Sequence, residues 1–313
     1  MCNGTIMDKL ISFSLPLMLS GILQLMFNAV DIVVVGRFSG SQSLAAVGST
    51  TALINVFTNL FIGISLGANV LAARFFAAGK SKEMSDTVHT SVTLALISGV
   101  VMAFVGLIFS RGALELMGTP ADVIGQSALY MKIYFLGMPF FMLYNYGAAI
   151  LRAVGDTKRP LIFLVVSGVV NAILNMILVI IFHLDVAGVA IATVISQMIS
   201  CILVIRCLCN SQTSYQLYFS KLRINKDYLK QIFQVGIPAG IQSTVINFSN
   251  ALLQSSVNSF GSIAMAGYTA ANNIFGFLYV AVNSVTQACM SFTSQNYGVR
   301  KFKRMDKVPV FCG

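Results

Sequence analysis

Asp31 is the only acid well inside an apolar stretch of this 313-residue chain. A carboxylate at bilayer depth costs at least ~2.5 kcal/mol on insertion scales, so it normally faces a cavity or a partner. A carboxyl so placed can load and release a proton, or hold a monovalent cation with neighbouring oxygens. The plain structural alternative is a carboxylate near the outer interface, reaching water or Arg37. Other oxygen-bearing side chains fall on helical faces. Asn171 and Asn175 are spaced i,i+4, as are Thr193 and Gln197, so each pair shares one face. They offer ligands without full charge, and they equally suit interhelical hydrogen bonding. Gln242, Asn250 and Gln254 make a third polar stripe that can line a cavity or bind a neighbouring helix. Pro16 precedes Asp31 in the same apolar run, where a missing backbone hydrogen bond permits a kink.

Catalysis finds little to work with. His89 and His183 lie apart from each other and from any acid at metal-ligand spacing, and no nucleophile-elbow or phosphate-loop motif occurs. The six cysteines form no framework, and Cys207-x-Cys209 lacks a second half-site, so buried free thiols are expected. No catalytic set and no bound cofactor are expected.

The elements that position these residues are membrane spans. The chain is 57% hydrophobic and 10% charged, whereas soluble domains carry about 25% charged residues. About 20 apolar residues cross a bilayer. Stretches between charges give spans within 10–35, 38–73, 87–110, 133–151, 161–182 and 186–205, then a polar, basic linker over 210–230. Residues 231–299 hold no charge and suffice for two more spans with a turn near 258–262, making eight. With the N-terminus in the cytoplasm, only Arg37, Arg111 and Lys132 of the 20 Lys and Arg fall outside. That bias fixes the orientation, with both termini cytoplasmic. It also reads the net charge of +10 as topology and not as a nucleic-acid-binding face.

The chain repeats itself. Pro16 in Ser-Leu-Pro-Leu matches Pro238 in Gly-Ile-Pro-Ala, and Gly40-Ser-Gln-Ser-Leu-Ala-Ala-Val-Gly48 resembles Gly261-Ser-Ile-Ala-Met-Ala-Gly267. Gly79 and Gly298 each precede a basic cluster. Spans seven and eight therefore look like spans one and two again, and a parallel repeat of six-span units needs about twelve spans. By that reading the chain is truncated after the eighth. Gly63-Ile-Ser-Leu-Gly67 is a small-xxx-small pattern that permits close helix contact.

Four segments in order resemble the multidrug and toxic compound extrusion (MATE) transporters over about residues 8–305. They are Leu15-Pro-Leu17, Val30-Asp-Ile-Val-Val-Val-Gly-Arg-Phe38, Leu151-Arg-Ala-Val-Gly-Asp-Thr-Lys-Arg-Pro160 and Gly188-Val-Ala-Ile-Ala-Thr-Val-Ile-Ser-Gln197. The resemblance implies an all-α membrane protein. It would have one complete six-helix lobe (1–209), a cytoplasmic basic linker (210–230) and the first two helices of a second lobe (231–313). It implies a monomer in the cytoplasmic membrane that exports organic cations and drugs against inward H⁺ or Na⁺. By motif position, Asp31, Asn171, Asn175 and Thr193 fall at the family's N-lobe cation site and Pro16 at its bending proline. Tyr130 joins the candidate lining, with Gln197, Gln242, Asn250 and Gln254. Na⁺ at Asp31, Asn171 and Asn175 is the one metal suggested. One branch has an acid eight residues after the repeat proline, where this chain has Ile246. The rival readings are a flippase for lipid-linked sugars, which the lack of a mid-span Lys or Arg disfavours, and a non-transporting remnant.

Overall fold

A computed structural model describes residues 2–258 and 262–308. All regular structure among them is helical: α1 (Ile6–Phe38), α2 (Gly40–Ala77), α3 (Ser81–Leu116), α4 (Ile124–Leu136), α5 (Met138–Ala153), α6 (Lys158–Asn175), α7 (Asp185–Cys209), α8 (Lys226–Asn258), α9 (Ser262–Gly298) and the short α10 (Phe302–Met305). A π-helical stretch, Met176–Ile181, continues α6 directly after Asn175. The turn expected near 258–262 falls on residues 259–261 and lies outside the described residues, as does Gly261 of the repeat.

Six helices are long and apolar enough to cross a membrane, and α4 with α5, bent by 47°, makes a seventh if the pair is one broken span. The helix expected over 133–151 therefore starts earlier and is broken, with Lys132 inside α4 and not in a loop. The break has a local cause. Pro139 follows Gly137-Met138, and proline removes a ladder donor while pushing the residue before it away from helical dihedrals. Gly99 of α3 packs against the Pro139 backbone there and leaves no room for a Cβ. The 33-residue α8 is long enough to span but does not meet the apolarity test among the described residues. Gln231, Gln234, Gln242, Asn247 and Asn250 dilute it.

Helix α8 lies against α2 along a glycine seam. A Cβ on Gly63 would fall on the backbone of Gly240, and one on Gly67 on the Ile232 carbonyl. A Cβ on Gly236 would meet Ile64 Cα at 2.5 Å, and one on Gly240 the Leu60 carbonyl at 2.6 Å. Gly63-x-x-x-Gly67 thus finds its counterpart in Gly236-x-x-x-Gly240. With no hydrophobic drive between helices in lipid, such close backbone approach is the main source of attraction.

Polar ties complete the packing. Ser291 of α9 donates to Asn69 Oδ1 at 3.0 Å, and Asn69 Nδ2 donates to the Ala149 carbonyl at 2.8 Å. Gln295 Nε2 reaches the Ala153 carbonyl at 2.7 Å. Lys301 Nζ donates to the Cys2 carbonyl at 2.9 Å and Asn3 Oδ1 at 2.8 Å, and Arg304 to the Gly4 carbonyl at 2.9 Å.

The linker docks on α3. His89 is 2% exposed, and its Nδ1 contacts the Ser85 carbonyl at 2.6 Å. Its Nε2 accepts the Tyr218 N–H at 3.1 Å. One nitrogen faces an acceptor and the other a donor, so the proton sits on Nδ1. His89, isolated in sequence, is thus a structural pin. Helix α8 begins at Lys226, inside the expected linker. Cys2, Cys201, Cys207 and Cys209 are free, with Cys201 alone buried, whereas Cys289 is disulfide-bonded, against the expectation of free thiols throughout. Cys312 lies outside the described residues.

The seam makes a sharp expectation. Gly63→Ala should destabilise the chain by about 1–3 kcal/mol through overpacking. Gly112→Ala, with nothing within 4 Å of its Cβ, should be neutral or stabilising by less than about 1 kcal/mol. Thermal unfolding in detergent compares the two, and equal shifts would count against the seam.

Candidate functional site

Seven helices present one stripe each to a common cavity of about 460 Å³. On α1 the stripe is Leu17, Gly21, Gln24, Asn28 and Asp31, the three-and-four spacing of a single helical face. On α2 it is Asn55, Thr58, Asn59 and Ile62; on α6, Leu164, Gly168 and Asn171. Tyr130 and Tyr134 come from α4, Thr193, Gln197 and Ser200 from α7, and Asn283 and Gln287 from α9. Polar groups that cannot face lipid thus converge on one interior space, which is the rule for buried polarity in membranes.

Asp31, half-buried, sits at one end. Asn175 Nδ2 donates to its Oδ1, and the same nitrogen lies 3.2 Å from Asn171 Oδ1. Asn171 Nδ2 reaches Thr193 Oγ1 at 3.5 Å, and Thr193 itself donates to the Val189 carbonyl at 2.9 Å. Carboxylate, two amides and a hydroxyl therefore form one chain across α1, α6 and α7. Close helix packing makes it. Gly168 of α6 lies against the Phe27 ring, where a Cβ would collide. One turn beyond Phe27 is Asp31, and two turns beyond Gly168 is Asn175. The π stretch begins immediately after Asn175, and such distortions cluster at functional sites.

One atom in this chain is left over. Asn175 is fully buried and its Oδ1 has no hydrogen-bond partner among the described residues. Buried acceptors seldom stay unpaired without a reason. The chain as a whole carries the Asp31 carboxylate, Asn171 Oδ1, Asn175 Oδ1 and Thr193 Oγ1, oxygens of the kind hard cations take. Among the described residues no group of three or more His, Cys, Asp or Glu is placed to hold a metal.

The remaining sequence candidates separate. Tyr130 lines the cavity, 7% exposed, with its ring 6.1 Å from that of Tyr134. Gln197 lines it too, its Oε1 buried without a partner. Pro16 is buried within an uninterrupted α1, its carbonyl taken by the Ser20 hydroxyl at 2.8 Å. Gln242 and Asn250 are exposed on α8 and do not line the cavity. The side chain of Gln254 lies outside the described residues. Sequence reasoning missed Asn55 and Asn59, an i,i+4 amide pair inside an apolar run, as well as Tyr134 and Arg152.

The MatE family model matches residues 16–177 and 238–311. The probable multidrug resistance protein YoeA of Bacillus subtilis is 33% identical over 305 residues, 95% of this chain and 65% of the relative. The multidrug export protein MepA of Staphylococcus aureus is 23% identical, over 98% of this chain and 68% of the relative. The chain thus spans about two thirds of the length of these curated relatives. Among solved structures, a MATE transporter in a bent conformation overlays with a TM-score of 0.91 at 23% identity, covering 99% of this chain and 69% of that one. A transporter of the MOP superfamily from Pyrococcus furiosus, described as having a binding pocket of reverse polarity, overlays at 0.89 with 24% identity, covering 97% and 68%.

A double-mutant cycle tests the central contact. Asp31→Ala and Asn175→Ala, singly and together, should show a coupling of about 0.5–3 kcal/mol in detergent unfolding. Additivity would mean that the two side chains do not interact.

Proposed function

This chain belongs to the MatE family, and on that premise we propose that it exports organic cations and drugs across the cytoplasmic membrane in exchange for inward H⁺ or Na⁺. Its relatives are named for multidrug resistance and export and not for any enzymatic reaction. The observation that carries the reading is the hydrogen-bonded chain from Asp31 through the buried Asn175 to Asn171 and Thr193, of which Asp31, Asn171 and Thr193 line a 460 Å³ cavity.

The chemistry follows from donor and acceptor counts. A charged Asp31 accepts from the Asn175 amide, which leaves Asn175 Oδ1 unpaired. A monovalent cation would draw both oxygens to itself and quench the carboxylate charge. A proton on Asp31 would do the same electrically and would turn an acceptor into an O–H donor, so the amide is free to rearrange. Either event alters the contact between α1 and α6. Pro16, fifteen residues earlier in α1, is where that helix lacks a backbone hydrogen bond and can bend in response. An aromatic pair and several amides offer an organic cation both ring faces and neutral dipoles.

In this reading residues 1–209 act as one lobe, 210–230 as the cytoplasmic linker and 231–313 as the start of a second lobe. Both termini lie in the cytoplasm and the chain acts as a monomer. Ethidium transport in proteoliposomes should require an imposed H⁺ or Na⁺ gradient, and Asp31→Asn should abolish it. Undiminished exchange by Asp31→Asn would overturn the role given to the carboxylate. No transport by the wild-type chain would support the non-transporting remnant instead.

A further inference from the structure

Among the residues that line the cavity, only Asp31 and Arg152 are charged. Arg152 sits in the last turn of α5. Its Nε is buried and has no hydrogen-bond partner among the described residues. No carboxylate of the described residues lies within ion-pair distance of it. The ion pairs formed by the described residues are Lys80–Glu83, Arg111–Glu115, Arg159–Asp156 and Arg223–Asp86. The nearest acid in sequence, Asp156, is therefore engaged with Arg159 at 3.3 Å.

Asp31 is too far away to serve. Tyr144 donates to the Pro160 carbonyl at 3.2 Å, which fixes α5 against the start of α6, and Arg152 lies two turns further toward the α5 terminus. Asn175, the partner of Asp31, is about 22 Å from Pro160 along α6 at 1.5 Å per residue. The cavity is therefore bipolar, with a carboxylate at one end and a guanidinium at the other. Several neutral lining groups are committed to the backbone: Asn145 donates to the Phe141 carbonyl at 2.8 Å, Ser200 to the Ser196 carbonyl at 3.3 Å and Ser284 to the Val280 carbonyl at 2.7 Å.

A guanidinium partly stripped of water without a counter-charge is costly, and an unpaired one in a cavity wall has room for an anionic ligand. Its planar fork of N–H donors matches a carboxylate, sulfonate or phosphate. We propose that Arg152 forms an anion-recognising subsite of the cavity, which takes the acidic group of an amphiphilic solute whose apolar body packs on Phe141 and Leu164. The chain would then handle anionic and zwitterionic amphiphiles as well as cations. The inference rests on the reading of the cavity as the substrate site.

Two probes with the same fluorophore test it: dansyl-glycine, an anion, and dansyl-cadaverine, a cation, titrated into the full chain in phosphatidylcholine nanodiscs. Arg152→Gln should weaken dansyl-glycine by about tenfold or more, the range for a charge-assisted hydrogen bond, and leave dansyl-cadaverine unchanged. Arg152→Lys should restore most of the anion affinity, and Asp31→Asn should show the opposite selectivity. Dansyl-glycine affinity unaltered by Arg152→Gln overturns the proposal. So does equal loss of both probes in Arg152→Gln and Arg152→Lys, which makes Arg152 a support of the fold. Failure of the wild-type chain to bind either probe removes the substrate-site reading itself. In phosphatidylglycerol nanodiscs, Arg152-dependent competition with dansyl-glycine identifies a lipid headgroup as the occupant, and no competition identifies a free solute.

Discussion

The hydrogen bond from the Asn175 amide to the Asp31 carboxylate is the contact on which the rest of the interior depends. A charge inside hydrocarbon is tolerable only where protein or trapped water replaces the bulk solvent. Meeting that condition brings α1 close to α6, which requires Gly168 against the Phe27 ring. It places a second amide and a hydroxyl in line behind the first, and it leaves one acceptor without a donor. A fully satisfied network would hold the helices in one arrangement, whereas a network short of one donor or cation has a reason to change state.

Much of this was legible because helices in lipid write their inner face in polar residues. The spacing of Asn171 with Asn175, and of Thr193 with Gln197, placed each pair on one face, and the structure sets all four on the interior side. The same logic over-reached on α8. Gln242 and Asn250 form a polar stripe, yet they are exposed, because the face that packs on α2 is marked by Gly236 and Gly240 instead. In that helix small residues and not polar ones identify the buried side. Arg152 escaped notice for a related reason. Counted with the basic cluster around Lys158 and Arg159, it served only to orient the chain, and nothing local shows that its side chain turns inward. The break between α4 and α5 was hidden by Lys132, which was taken as the edge of a span although it lies within a helix.

Helix α8 is held to α2 by backbone approach at four glycines, so the contact depends on the absence of side chains and carries almost no hydrophobic signal. Family membership rests on a match over residues 16–177 and 238–311. The cavity described here is lined by α1, α2, α4, α5, α6 and α7 with a wall from α9. All of these helices lie within the two thirds of the relatives' length that this chain spans.

The tie between Lys301 and Arg304 and the carbonyls of Cys2 and Gly4 has a consequence of parity. Residues 2–4 and 301–304, in hydrogen-bond contact, lie on the same side of the bundle. A stretch whose two ends share one side crosses an even number of times. Seven segments pass by length and apolarity, counting the bent pair as one, and seven is odd. With that pair as a full crossing, α8, 33 residues long and diluted by glutamines and asparagines, is the segment that would restore an even count. Counting sides thus points to α8 where composition alone does not.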